Sequence, residues 1–192
     1  MSRRLLAAGC CIALLASVWG CGSDEDLAEA IYTAGHGDSS VRVWIPIDEP
    51  RSTGTYRADV EWGDGVTDRI EEEREGMIAG VWMEDLAGDG QPELVVATAS
   101  AGSGTYGVVH VYGRTDSGLE ALELAPLSEV QRVGYMGHDV FSVEDGRLGR
   151  SHPIYAESDA NASPSGGTAA FHYSFADSAW IAVEGDTPET QP

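Results

Sequence analysis

Lysine is absent from this sequence, and cysteine is confined to its first 21 residues. The 11 basic residues are all arginine and stand against 32 acidic ones, which gives a formal net charge of −21 at pH 7. Phosphate backbones repel such an acidic chain, so nucleic acid is not expected as a partner. The charge leaves two interpretations open: a solvated surface that resists aggregation, or long-range attraction for a basic partner.

The start of the chain has the pattern of a signal peptide. Arg3 and Arg4 precede residues 5–19, which carry no charge. That run is shorter than the roughly 18 apolar residues of a transmembrane helix. We therefore expect residues 1–20 to be a signal peptide and residues 21–30, which are small and acidic, to be a tether. Removal of the leader would leave 9 basic residues and a net charge of −23.

The position of the last cysteine predicts a lipid anchor. The cysteines are Cys10, Cys11 and Cys21, so cleavage before Cys21 leaves one cysteine and no internal disulfide. Residues 18–21 (VWGC) resemble a lipobox, although Trp19 stands where a small residue is usual. The sequence thus predicts a lipoprotein exported to the cell envelope, on the periplasmic face of the outer membrane or on the cell surface. The alternative is an ordinary secretory signal with an incidental cysteine.

Long segments with helical periodicity are missing, whereas alternation of apolar and polar residues recurs throughout. Tyr56, Ala58, Val60 and Trp62 fall on one face of an expected strand. Similar alternation occurs in residues 41–47 and 77–83. Residues 93–100 are a candidate for a buried strand, and residues 106–112 are rich in β-branched and aromatic side chains, which favour strands.

These patterns predict one all-β domain over residues 31–184, built as an antiparallel β-sandwich or curved sheet with short helical turns. The best helix candidates are residues 26–32 and 128–133. Residues 185–192 are expected to form a disordered tail.

Residues 102–107 (GSGTYG) satisfy the pattern G-x-G-x-x-G. A dinucleotide site needs a helix directly after this pattern, but the strand-like residues 108–112 follow, and the kinase lysine is absent. The loop is uncharged and offers Ser103 and Tyr106 for contact with a partner. The alternative is a plain hairpin whose tyrosine packs on the sheet.

An acidic loop at residues 85–93, which precedes the GSGTYG segment, has part of a calcium-binding pattern. Asp85, Asp89 and Glu93 occupy the first, fifth and ninth positions of an EF-hand loop. Ala87 and Val96 fill two positions where ligands are required. A calcium-dependent envelope binding module and a carboxylate-capped turn both stay open. No other cofactor is expected, and no catalytic motif predicts an enzyme.

Four stretches within residues 85–183 resemble the periplasmic inhibitors of invertebrate-type lysozyme, in the same order and with similar spacing. They are DLAGDGQPELVV, SAGSGTYGVVHVY, GYMGHDVFSVEDGRL and PIYAESDANASPSGGT. The resemblance implies a β-sandwich inhibitor, a possible homodimer, that acts on a lysozyme of an invertebrate host or predator and so evades host defence. It also implies that the loop of Ser103, Gly104, Thr105 and Tyr106 enters the enzyme's cleft.

Overall fold

The structure, a computed structural model, describes residues 28–176 and 179–184. Its twelve strands follow one another along the chain and are joined by turns and loops. They are β1 (Ala28–His36), β2 (Ser39–Pro46), β3 (Thr53–Glu61), β4 (Thr67–Glu75), β5 (Met77–Glu84), β6 (Glu93–Ala99), β7 (Gly107–Thr115), β8 (Gly118–Leu122), β9 (Val140–Glu144), β10 (Arg147–Pro153), β11 (Thr168–Ala176) and β12 (Ala179–Glu184).

The strands form three antiparallel sheets of four, each a meander of consecutive strands: β1–β4, β5–β8 and β9–β12. The expected all-β fold is therefore confirmed. Within the described part of the chain, no helix has the length and apolar character needed to cross a membrane. The predicted signal peptide, Cys21 and the tail at 185–192 lie outside the described residues.

The second sheet packs on both of its neighbours, and β6 explains how. Leu94 and Val96 of β6 belong to a buried cluster with residues of the first sheet, while Val95 belongs to a second cluster with Leu148 and Tyr173 of the third. Successive side chains of a strand point to opposite faces, so a strand buried on both sides is a continuous apolar run. This explains the continuous apolar run at residues 94–97 (LVVA) in β6.

The predicted face of β3 is also confirmed, because Tyr56, Ala58, Val60 and Trp62 are all buried in the first cluster. Each large apolar side chain removed from water in this way stabilises the fold by about 1.5–3 kcal/mol.

A bulge changes which residues of β5 point inward. The sequence predicts one face with Met77 and Met83, yet Met77 is exposed whereas Ile78 and Met83 are buried. The pairing of β5 with β6 shifts between Ile78 and Gly80, and one extra residue reverses the alternation.

Both helix candidates need correction. Residues 28–32 belong to β1 and pair with β2, so the helix expected at 26–32 is wrong over its described part, and residues 28–30 of the expected tether are strand. At 128–133 there is one helical turn, closed by the Arg132 N–H bond to the Ser128 carbonyl at 3.0 Å, and no helix.

Candidate functional site

The GSGTYG segment lies in the connection between β6 and β7, at one end of the middle sheet. Ser100 closes the base of this loop. Its N–H donates to the Tyr106 carbonyl at 2.9 Å, and its hydroxyl oxygen accepts the Tyr106 N–H at 2.9 Å. At the tip, the Thr105 N–H bonds the Gly102 carbonyl at 3.1 Å, with Thr105 at a positive φ of 41°. These bonds give residues 100–107, the β6–β7 loop, a defined shape.

Ser103 and Tyr106 both face solvent on this loop. Ser103 is exposed, and 51 % of the Tyr106 surface is accessible. The Tyr106 ring meets the Tyr135 ring edge-on, with centroids 5.8 Å apart. The plain-hairpin alternative places Tyr106 against the sheet; the ring packs on Tyr135, which lies outside the strands, and about half of the residue's surface stays accessible.

Two of the loop glycines are required by close approach. A Cβ at Gly104 would lie 2.6 Å from the Tyr106 ring and 3.1 Å from the Met136 carbonyl oxygen. A Cβ at Gly107 would lie 2.7 Å from the Asp139 side chain. Gly102 differs, because a Cβ there meets nothing within 4 Å. The glycines at 104 and 107 therefore let the loop pack against residues 134–139, whereas Gly102 tolerates a side chain.

Two distant segments hold the loop from behind. The His138 N–H donates to the Gly104 carbonyl, and a Cβ at Gly137 would overlap that same oxygen. The Asn161 side-chain amide donates to the Ser103 carbonyl at 2.6 Å. In the amino-acid sequence these segments stand out only through the family resemblance, and nothing there indicates that they meet in space. Contacts across 30 to 60 residues leave no local signal in a single sequence.

The tip itself is free of charge. Apart from the Tyr106 phenol, no side chain in residues 100–107 can ionise. Because the chain as a whole is strongly acidic, this loop is a neutral projection on a negatively charged protein. A neutral tip can approach carboxylates without the repulsion that a second negative charge would bring.

The predicted calcium loop uses its carboxylates on its own backbone. Asp85 accepts the N–H groups of Gly88, Asp89 and Gly90 at 2.7–3.0 Å. The Asp89 carboxylate accepts the Gln91 N–H at 2.8 Å.

Glu93 is buried and accepts the N–H groups of Leu86 and Ala87, and burial raises the pKa of its carboxyl. Among residues 28–176 and 179–184, no group of three or more His, Cys, Asp or Glu side chains is placed to hold a metal ion. These backbone hydrogen bonds favour the carboxylate-capped turn over the calcium site.

Similar proteins point to one family. The model of the family described as "Periplasmic lysozyme inhibitor of I-type lysozyme" matches residues 39–131, which include the whole β6–β7 loop. A solved structure of the Aeromonas hydrophila inhibitor in complex with Meretrix lusoria lysozyme is 33% identical, covering 48% of this chain and 83% of that one, with a TM-score of 0.40.

A second structure, of the periplasmic inhibitor from Aeromonas hydrophila, is also 33% identical and covers 48% of this chain and 88% of that one, with a TM-score of 0.39. No curated protein sequence matches the chain. TM-scores at this level do not establish a shared fold, so the relationship rests on the sequence identity and the family model.

Proposed function

The chain belongs to the family of periplasmic lysozyme inhibitors of I-type lysozyme, and on that premise we propose that it binds and inhibits an invertebrate-type lysozyme. It acts by occlusion and catalyses no reaction. The single observation that carries the proposal is the exposed, uncharged loop of Ser103 and Tyr106, which lies inside the matched residues 39–131. The family is described as periplasmic, which agrees with the export that the leader sequence predicts.

In the proposed mechanism the loop of Ser103, Gly104, Thr105 and Tyr106 enters the substrate cleft. Glycosidase clefts generally hold two carboxyl groups that flank the scissile bond. A hydroxyl group of Ser103 or Tyr106 donates to such a carboxylate and brings no charge of its own. Hydrogen bonds to charged acceptors contribute about 1.5–3 kcal/mol each, more than bonds between neutral groups.

The Tyr106 ring supplies apolar contact in this mechanism. Tyrosine offers a large, rigid surface and has few torsions to immobilise on binding. The edge contact with Tyr135 restricts the ring further before any partner arrives. We propose that the ring occupies a subsite that otherwise holds a sugar of the bacterial cell wall.

The negative charge of the rest of the protein fits the same mechanism. The net charge of −23 that remains after removal of the leader attracts a lysozyme of net positive charge over distances near the Debye length of about 8 Å at physiological salt. Such attraction raises the association rate more than it lowers the dissociation rate. Inhibition should therefore begin faster at low salt, while the neutral tip makes the final contact.

An inhibition panel tests the proposed function. The protein without residues 1–21 is assayed against invertebrate-type, chicken-type and goose-type lysozymes on the same cell-wall substrate. We expect nanomolar-class inhibition of the invertebrate type, as in tight protease–inhibitor complexes of ordinary interface size, and little effect on the other two. Equal inhibition of all three, or of none, would contradict the assignment.

We also propose that Cys21 carries the lipid that anchors the protein to the envelope, in the outer membrane. Stable anchoring needs more than one acyl chain, and bacterial lipoproteins are typically multiply acylated. Metabolic labelling with a fatty-acid analogue should mark the full-length protein and leave Cys21→Ser unlabelled. Label retained by that variant would show that the anchor is elsewhere.

A further inference from the structure

A buried carboxylate lies directly behind the β6–β7 loop. The Asp139 side chain is fully buried, and three groups donate to it. They are the Gly107 N–H at 2.8 Å, the Tyr135 hydroxyl at 2.6 Å and the Arg150 Nε at 2.8 Å. Gly107 ends the loop, Tyr135 braces the Tyr106 ring, and Arg150 belongs to β10 of the third sheet. One side chain thus links the loop, its brace and the third sheet.

Arg150 is nearly as buried as its partner and is held from several sides. Its Nη2 donates to the Tyr135 hydroxyl at 3.1 Å, and its guanidinium lies 5.5 Å from the ring centres of Tyr135 and Phe141. Burial by itself would lower the pKa of Arg150, but hydrogen bonds to Tyr173 and Asp139 outweigh burial and raise it. The Arg150 guanidinium therefore stays charged across the physiological range.

Tyr135 also keeps its proton, although burial acts on its phenol in the opposite direction. Burial and the bond to Asp139 raise the pKa of its phenol to about 12. The hydroxyl consequently acts as a donor to the carboxylate and as an acceptor from Arg150. This arrangement fixes the orientation of the Tyr135 ring, and the position of the Tyr106 ring depends on it.

An ion pair of this kind is weak support for stability, because well-packed apolar replacements are often as stable. Its geometric effect is specific, because both carboxylate oxygens have directed donors and none of the three partners can shift alone. The Asp139–Arg150 ion pair therefore contributes mainly to the position of the β6–β7 loop and less to stability.

We propose that Asp139 is a positioning residue for inhibition: by binding Gly107, Tyr135 and Arg150 together, it holds Tyr106 outward in the form that enters the lysozyme cleft. This inference rests on the proposed function and extends it to a residue outside the segment that the family model matches.

The variant Asp139→Asn, made in the protein without residues 1–21, tests this directly. Its amide group keeps the shape but cannot accept from all three donors, so the inhibition constant should rise about tenfold to a hundredfold. Hydrogen exchange of the Gly107 amide should accelerate in the same variant. Unchanged inhibition alongside an exposed Gly107 amide would overturn the proposal.

Glu93→Gln provides the matched control. Glu93 is also a buried carboxylate that accepts backbone N–H groups of a loop, but it starts β6 whereas the inhibitory loop follows its other end, about 20 Å away. The melting temperature of Glu93→Gln should fall by about as much as that of Asp139→Asn, whereas its inhibition constant should match that of the wild-type protein. If Glu93→Gln weakened inhibition as much as Asp139→Asn, general destabilisation would explain both and the proposal would fail.

A double-mutant cycle with Tyr106→Ala shows whether Asp139 acts through the loop. In the Tyr106→Ala background, Asp139→Asn should raise the inhibition constant by about twofold at most, since the group being positioned is gone. A full, additive effect there would mean that Asp139 acts independently of Tyr106.

Tyr135→Phe keeps the test decisive if Asp139→Asn fails to fold. It removes one donor to the carboxylate and retains the ring, so the inhibition constant should rise about threefold to tenfold. If the wild-type protein inhibits no lysozyme, the proposed function fails; Gly107 exchange and Tyr106–Tyr135 ring contacts by NMR then still report whether Asp139 positions the loop.

Discussion

Replacing Ser103 and Tyr106 together by alanine should raise the inhibition constant for invertebrate-type lysozyme by about a thousandfold. Truncation of a central interface tyrosine commonly weakens binding by about 2 kcal/mol or more, and loss of a hydroxyl bond to a carboxylate adds about 1.5–3 kcal/mol. Each 1.4 kcal/mol corresponds to about tenfold in affinity. Because both side chains are exposed, the melting temperature should change little.

Gly102→Ala is the control for that double variant. It changes the same loop, but its new methyl group meets nothing within 4 Å of this chain, so the loop shape should be preserved and the inhibition constant should change far less than in the double variant. Wild-type inhibition by the Ser103→Ala, Tyr106→Ala protein would exclude the loop mechanism, whatever the control does.

The second large effect concerns stability and centres on Arg74. Its side chain is completely buried at the end of β4, and burial lowers the pKa of its guanidinium. The guanidinium donates at 2.6–2.8 Å to four backbone carbonyls: those of Pro50, Arg51, Thr55 and Gly76. It thereby joins the β2–β3 connection, β3 and the β4–β5 turn.

Arg74→Met fills similar space but leaves those four carbonyls without their donor. We expect the free energy of unfolding to fall by about 3–5 kcal/mol, because a buried carbonyl left without a donor costs about 1–3 kcal/mol and the partly buried ones regain water. At about 2–4 °C per kcal/mol for a chain of this size, the melting temperature should drop by roughly 10 °C. Differential scanning calorimetry measures both quantities.

Arg69→Met serves as the comparison on the same strand. Arg69 is 59 % exposed and bonds Asp59 across the surface, so its replacement should change the free energy of unfolding by less than about 1 kcal/mol. If the two variants proved equally stable, the carbonyl cluster around Arg74 would not contribute as described.

Local sequence predicted most strands because their burial is regular. The alternation of Tyr56, Ala58, Val60 and Trp62 translates directly into the buried face of β3. Prediction from local sequence failed where strand pairing overrode propensity: residues 28–32 contain helix-favouring alanines and a glutamate, yet they pair with residues 43–46 of β2. The bulge near Gly80 could not be predicted from local sequence either, because it arises from the pairing of β5 with β6.

Only the part of the candidate site that is local in sequence could be predicted. Glycines and the absence of charge mark the Ser103–Tyr106 loop within eight consecutive residues. Asp139 and Asn161, which hold that loop, lie 32 and 58 residues from their partners in it. Only the three-dimensional packing of the third sheet on the second brings them there. The lipid anchor at Cys21 and the homodimer stay predictions.

Competition for the lysozyme cleft tests the central claim most directly. Binding of the protein without residues 1–21 to an invertebrate-type lysozyme is measured by calorimetry at increasing concentrations of a chito-oligosaccharide that occupies the cleft. If the Ser103–Tyr106 loop enters the cleft, the apparent dissociation constant rises in inverse proportion to the fraction of clefts that the oligosaccharide leaves empty. A dissociation constant that does not change as the cleft fills would contradict the account.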